Sequence, residues 1–374
     1  MGSIKTNWFD VIENSQITSP GLLISSKLIK ANIEAMIRLS GNVDRLWPHI
    51  KTYKMAQIIE LQKEHQINKF KCATISEAEL LCESKVSHVL LAIQPTEKKL
   101  RAFLNLQLKN PEIQFSTLVD NTKSLEIFEK ITSKNSQSLK VWIDINNGMN
   151  RTGIVPDKKA FNLYQKIKNI SNIHFLGLHL YDGHIRIQNE KIQKESTDNS
   201  FLKVADLRQK IESIEKSKID VIAGGSPTFL PHSQRKDVFL SPGTTLLWDQ
   251  GYDKLWPKSP FEIAAVLATR IISKPKKNVL CFDLGHKAVA SEMTLPRVTI
   301  IGLEKANHVG QSEEHLILET KEAEKYDVGD LFYALPKHIC PTVAKYNQAQ
   351  VINNQNLVEY WEIKGKNYQY DSAL

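Results

Sequence analysis

Long hydrophobic runs are missing from this chain. No stretch of about 18 apolar residues occurs, which argues against a helical membrane span. The N-terminus has no secretory hydrophobic core. Cysteine is scarce: the four are Cys72, Cys82, Cys281 and Cys340. They are too few for a disulfide framework in a chain this size, which fits a reducing, cytoplasmic setting. Basic blocks interleaved with aromatics are also missing. The formal net charge is +8, but its lysines are spread over helical patterns such as Lys158 to Lys168 and Lys191 to Lys216. That charge reads as a solvated surface rather than a nucleic-acid site. No fixed-period repeat or low-complexity tract is present. Met1-Gly2-Ser3-Ile4-Lys5-Thr6 fits the loose myristoylation pattern, but no second anchoring signal follows, and chance is the better account.

What is there is an ordinary globular composition, 41% hydrophobic and 24% charged over 374 residues, too long for one small core. From about Leu46 to Gly243, short apolar runs alternate with amphipathic ones. The strand patterns are Leu46–Lys51, Lys69–Thr74, His88–Ile93, Ile113–Val119, Val141–Asn146, Ile173–Tyr181, Ile219–Ala223 and Val238–Ser241. Helical patterns fill most gaps, the clearest being Phe201–Ile214, where Phe201, Val204, Leu207, Ile211 and Ile214 recur at three and four. This alternation predicts an α/β fold with a (β/α)8 TIM barrel. A doubly wound sheet is the alternative, because strand count alone does not show closure. A ninth strand, Leu22–Ser25, precedes the barrel and reads as a lead-in from another domain. After about Pro257 strand-like runs follow one another without a long helix, which predicts a C-terminal all-β domain. The expected division is a lead-in over 1–25 packing with the β domain, a barrel over 26–255 and the β domain over 256–374.

In such a barrel, chemistry collects where strands end and βα loops begin. Lys51 ends the first strand pattern, sharing a face with Trp47 and His49. A positioned lysine amine can form a Schiff base with a carbonyl cofactor; the same residue also reads as an edge-strand lysine turned to water. Gly224-Gly225-Ser226 follows the seventh strand and can cradle a phosphate, glycine allowing close backbone approach and serine adding a donor. Gly243-Thr244 after the eighth can serve the same group, a habit of barrels at strands seven and eight. In the β region, His338 and Cys340 lie two residues apart. On an extended segment they share a face and could bind a divalent ion through imidazole and thiolate, zinc above all, with its other positions open. Spacing alone also allows a buried cysteine beside a chance histidine. His179, His184 and His315 are candidate general bases, with structural roles as the alternative.

These residues resemble the bacterial D-threonine aldolase and D-serine dehydratase-like enzymes, which share the alanine-racemase-type barrel. The resemblance rests on Pro48-His49-Ile50-Lys51-Thr52, Lys71-Cys72-Ala73-Thr74, Gly148 through Gly153, Ala223 through Phe229, Ser241-Pro242-Gly243-Thr244, Gln311 through His315 and His338-Ile339-Cys340-Pro341. It spans almost the whole chain. It implies pyridoxal 5′-phosphate (PLP) on Lys51, in the alanine-racemase-like architecture known as PLP fold type III. It implies phosphate contacts at Gly224, Gly225, Ser226, Gly243 and Thr244, with His49 and Arg151 near the cofactor and Tyr181 approaching the ring nitrogen. His338 and Cys340 match the metal pair, and the expected assembly is a homodimer. The implied activity is lyase chemistry on β-hydroxy D-amino acids: aldolase cleavage to glycine and an aldehyde, or dehydration to a 2-oxo acid and ammonia. His-x-Cys follows the dehydratase pattern, where the aldolases carry His-x-Asp, and favours zinc over manganese or magnesium. The Gln311–His315 segment follows the aldolases. A racemase would need a second base and no metal. A non-catalytic PLP carrier would not need His338 and Cys340.

Overall fold

The computed structural model describes residues 7–368, so the Met1–Thr6 pattern lies outside the described residues. The chain divides into two compact units. One holds Met36–Lys54, Ile59–Gly243 and residues 364–368. The other holds residues 7–35, Met55–Ile58 and Thr244–Ile363. The first strand in the chain, β1 (Gly21–Ile24), belongs to the second of these.

The first unit is built on seven parallel strands in sequence order: β2 (Lys69–Cys72), β3 (His88–Leu91), β4 (Gln114–Val119), β5 (Leu139–Ile145), β6 (Ile173–Leu180), β7 (Asp220–Ala223) and β8 (Phe239–Leu240). Their residues are almost continuously buried, as in a parallel sheet covered on both faces. Helices fill the crossovers, and their starts are legible in the side chains. Thr74 Oγ1 accepts from Glu77 N at 3.1 Å to begin Ile75–Glu83. Asn121 Oδ1 accepts from Ser124 N at 2.8 Å to begin Thr122–Lys134. Each cap satisfies an amide that would otherwise lack a partner.

The eighth stave differs from the expected strand Leu46–Lys51. Only two parallel bridges form, Leu46 to Leu240 of β8 and His49 to Lys71 of β2. Because this segment bonds to both edge strands, the sheet closes rather than staying open as in a doubly wound fold. The strand stops early for a local reason. Pro48 offers no backbone N–H, and the His49 ring nitrogen Nδ1 accepts from Lys51 N at 3.2 Å. That bond turns Ile50–Thr52 into a single 3-10 turn. Lys51 therefore stands on a turn just past the stave. Inside the ring, Trp47, Leu90, Leu118, Trp142 and Ile222 form one apolar cluster. Each such side chain is worth roughly 1.5–3 kcal/mol of burial.

The crossover from β6 to β7 holds a helix over Glu190–Glu215, longer than the expected Phe201–Ile214. Its first half lacks an apolar stripe. Asn189 caps it, accepting from Ile192 N at 3.1 Å.

In the second unit β1 pairs antiparallel with β9 (Ala265–Lys276). The remaining strands are β10 (Val279–Phe282), β11 (Val298–Ile300), β12 (Asn307–Gln311), β13 (Leu316–Glu319), β14 (Leu331–Pro336), β15 (Gln348–Asn353) and β16 (Asn356–Glu362). The order is β12-β13-β10-β9-β1-β15-β16, with β14 also on β9 and β11 on β14. β12 and β15 carry Asn, Gln and His in place of a clean apolar alternation.

Candidate active site

Five basic side chains meet at one rim of the barrel unit, carried by four different segments. The 3-10 turn brings Lys51, whose Nζ lies 5.5 Å from the centre of the Tyr181 ring. The loop after β5 brings Arg151, whose guanidinium carbon lies 5.0 Å from the same ring. β2 brings Lys71, β6 brings His179, and His49 precedes the turn. Lys71, His179 and His49 are buried. A short chain of hydrogen bonds runs through them. Lys71 Nζ meets His179 Nε2 at 2.7 Å. His179 Nδ1 meets Asp144 Oδ1 at 2.7 Å. Asp144 Oδ2 accepts from Gln94 at 2.8 Å.

The polarity of that chain follows from its ends. A carboxylate accepts, so His179 donates from Nδ1 and presents Nε2 as an acceptor to the Lys71 amine. Burial lowers the His179 imidazole, as does the Lys71 charge, against the pull of Asp144. Burial raises the Asp144 carboxyl, but the bonds from His179, Gln94 and Thr152 outweigh it and hold the group below its usual value. Lys71 is pushed down to about 7, first by burial and then by Lys51 and Arg151, with Asp144 opposing. His49 is driven well below its usual range by burial and by the charges of Lys51, Lys71 and Lys54. Among the described residues, the charges acting on Lys71 are Lys51 and Arg151 on one side and the Asp144 carboxylate on the other. A polyanion would relieve that imbalance.

The loop after β7 packs against Tyr181. A Cβ on Gly225 would come within 2.6 Å of the Tyr181 ring, so only glycine lets ring and backbone approach this closely. Gly224 has φ +72°, and a Cβ there would meet Thr228 and His232. The loop is held from beneath by buried Asp182, which accepts from Thr228 and bonds His232 Nε2 at 2.7 Å. Ser226 Oγ accepts from Gly243 N at 3.1 Å, tying the loops after β7 and β8 together. Bare glycine backbone, a serine hydroxyl and surplus positive charge fit a phosphorylated aldehyde such as PLP.

In the second unit, His338 and Cys340 do not lie on an extended segment. His338 is extended, but Ile339–Val343 is a short helix that it precedes. Asp249 fixes this turn, its Oδ2 accepting from Ile339 N at 3.0 Å. The two side chains still meet: burial lowers the His338 imidazole, but its bonds to Cys340 and Glu292 prevail and raise it to about 9. Glu292 Oε1 holds His338 Nδ1 at 2.7 Å. A carboxylate on one ring nitrogen is the usual support of a metal-binding histidine. Thr244, expected among the phosphate contacts, has its hydroxyl 3.3 Å from Cys340 Sγ. Among the described residues no three His, Cys, Asp or Glu side chains form a ready-made cage. The donor set therefore suits an ion held by two protein ligands with open positions.

Residues 24–249 match the alanine racemase N-terminal domain. The chain belongs to that family. Residues 264–352 match the putative serine dehydratase domain. An Arthrobacter D-threonine aldolase is 21% identical, over 95% of this chain and 94% of its own. The D-threonine aldolase of Filomicrobium marinum superposes with a TM-score of 0.85 at 21% identity, covering 94% of this chain and 95% of that one. The D-threo-3-hydroxyaspartate dehydratase of Delftia superposes at 0.82 with 16% identity, over 93% and 97%. Its structures include variants at a histidine and at a cysteine two positions later, the latter metal-free. At these identities the superpositions establish the shared alanine-racemase-like fold.

Of the three candidate bases in this family member, only His179 enters the nest. His184 is exposed and packs near Gly148. His315 is exposed, with Nδ1 3.5 Å from Ser312 Oγ. The sequence reading passed over Lys71 as a functional group, along with Asp144, Asp182 and Glu292. Lys71 carried a usable signal: like Lys51, it is a lysine near the end of an apolar barrel stave.

Proposed function

We propose that this chain is a PLP-dependent, divalent-metal-assisted lyase acting on β-hydroxy D-amino acids, cleaving them by a retro-aldol reaction to glycine and an aldehyde. The observation that carries the reading is the basic nest around Lys51 and Tyr181, set against the glycine-serine loop. Lys51 supplies the amine that holds the cofactor's carbonyl carbon. Gly224, Gly225, Ser226 and Gly243 receive its phosphate, and Thr244 extends that segment. Arg151 and His49 would supply charge and a polar edge beside the Tyr181 ring. When bound, the cofactor provides an electron sink for the negative charge developing at the substrate's Cα. His338 and Cys340 would hold a divalent ion, zinc by ligand chemistry, and the ion would supply Lewis acidity. The Lys51 amine would also be the group placed to move a proton at the substrate's Cα.

Dehydration to a 2-oxo acid and ammonia is the second reading. It is favoured by the match to the serine dehydratase domain, which includes His338 and Cys340. In the Delftia dehydratase, the histidine and cysteine altered in the variant structures have the same spacing as His338 and Cys340. Incubating the protein, with PLP and zinc, with D-threonine, D-serine and D-threo-3-hydroxyaspartate separates the readings. Glycine plus acetaldehyde from D-threonine is the expected outcome. Ammonia with pyruvate from D-serine, 2-oxobutyrate from D-threonine or oxaloacetate from D-threo-3-hydroxyaspartate would move the assignment to the dehydratase. Racemisation of D-alanine with no cleavage of any β-hydroxy substrate would overturn both.

A further inference from the structure

Two ionisable side chains buried in the barrel unit have no part in the scheme above. Glu77, on the helix Ile75–Glu83, is 0% exposed, and Lys54 is 9% exposed. They form an ion pair with each other. A buried pair of this kind adds little net stability against apolar side chains of the same size; what it supplies here is a fixed geometry. Both ends of the pair reach the backbone. Glu77 Oε2 accepts from Ala73 N at 2.6 Å, just past β2. Lys54 Nζ donates to Gly365 O at 3.2 Å, and Gly365 N donates to Lys54 O at 3.3 Å. Gly365 sits in the 3-10 turn Lys364–Lys366, which follows β16 and belongs to the barrel unit. One residue, 311 positions away in sequence, thus grips Lys54 by both side chain and main chain.

Lys54 is also where the turn bearing Lys51 ends. Its N–H donates to Ile50 O at 2.9 Å, beside the bond from Tyr53 N to the same oxygen at 3.1 Å. Its φ is +55°, a left-handed backbone that is unfavourable for a residue with a Cβ and persists where the surroundings hold it. The bonds to Gly365 and Glu77 supply that hold. The fit around the glycine is close: a Cβ at Gly365 would lie 3.3 Å from both Glu77 Cγ and Lys54 Cβ. We propose that Gly365 is a clamp: by gripping the Lys54–Glu77 pair, it keeps the Lys51 turn in the shape that takes up an aldehyde cofactor. The inference rests on the reading of Lys51 as the cofactor lysine and adds the distant segment that positions it. Gly365, Lys54 and Glu77 are positioning residues: they act through the turn, not on the substrate.

The test reads cofactor affinity and backbone exchange in full-length protein, not turnover. Gly365→Pro deletes the N–H that bonds Lys54 O. Affinity for PLP, from titration of the visible absorbance, should fall about tenfold with the loss of this bond. Hydrogen exchange along β9, in the other unit, should keep its wild-type rate. A coupling of this kind is reciprocal. In the wild type, saturating PLP should therefore slow exchange at the Gly365 amide by the same factor, about tenfold, where that amide exchanges by opening of the clamp. PLP affinity within about twofold of wild type in folded Gly365→Pro would overturn the inference. So would lost affinity accompanied by faster exchange along β9, which marks general destabilisation. If Gly365→Pro does not fold, the wild-type exchange decides alone: a Gly365 amide indifferent to PLP overturns the clamp. No borohydride-fixed adduct on Lys51 in the wild type would instead refute the cofactor assignment itself.

Discussion

In the barrel unit, Lys71, His179 and Asp144 are each no more than 4% exposed and are joined by two bonds of 2.7 Å. In the β unit, His338 and Glu292 share a bond of the same length, but their side chains are 36% and 48% exposed. The first arrangement keeps charges where water cannot relax them, so each cation strongly alters its neighbours. The second lies where solvent and a small ion can come and go. Buried, mutually tuned groups suit a cofactor held for many turnovers. A half-exposed pair with a carboxylate behind it suits an exchangeable metal. The two kinds of chemistry depend on different physics, so they should fail separately when each is disturbed.

The largest expected effect is at the barrel. Lys51→Ala should reduce turnover by more than about a thousandfold even with PLP in excess, because it removes both the carbonyl partner and a proton-transfer group. Steady-state assays together with loss of the borohydride-fixed adduct would check it. The matching change in the β unit is the double substitution His338→Ala with Cys340→Ala. Turnover of β-hydroxy substrates should fall by roughly a thousandfold, since Lewis-acid activation is worth several kcal/mol. Cofactor absorbance should stay near normal, and spectral titration with PLP would show whether it does. A smaller effect sharpens the picture of the metal's support. Glu292→Gln should weaken metal affinity by about 10-fold to 100-fold, measured by calorimetric titration, without altering PLP binding.

The smallest expected effect concerns pH and stability. Lys71 sits at about 7 in the folded chain, against an ordinary value of 10.5. Between those values the unfolded chain holds a proton that the folded one does not, so this group makes stability rise with pH. Its cost is present in full below about 7 and is relieved as the pH climbs toward 10.5. Lys71→Met removes that dependence. Its melting temperature relative to wild type should therefore be highest near neutral pH and decline toward alkaline pH in thermal scans of cofactor-stripped protein.

Much of this was legible from residues close together in sequence. Lys51, the Gly224–Ser226 loop and the His338–Cys340 spacing are local patterns with a chemical meaning, and the alternation of strands and helices pointed to the barrel. What local patterns miss is set by register and by bonds across the fold. Lys71 meets His179 across 108 positions, and only the ordering of staves around the ring brings them together. Glu292 reaches His338 across 46 positions from a segment with no regular structure. The strand expected to end at Lys51 turned early because a single side chain, His49, captured a backbone N–H, a local competition that hydrophobic pattern does not register. The same holds at His338, where a helix begins after one extended residue.

Cofactor chemistry and metal chemistry are thus expected at separable sites of one lyase. Exhaustive chelation with EDTA, followed by simultaneous reading of D-threonine cleavage and of the bound cofactor's visible absorbance, tests it most directly. Cleavage is expected to be lost and to return with zinc while the absorbance and the borohydride-fixed adduct on Lys51 persist throughout. Cleavage that continues at the wild-type rate in metal-free protein, or absorbance that disappears together with the metal, would contradict it.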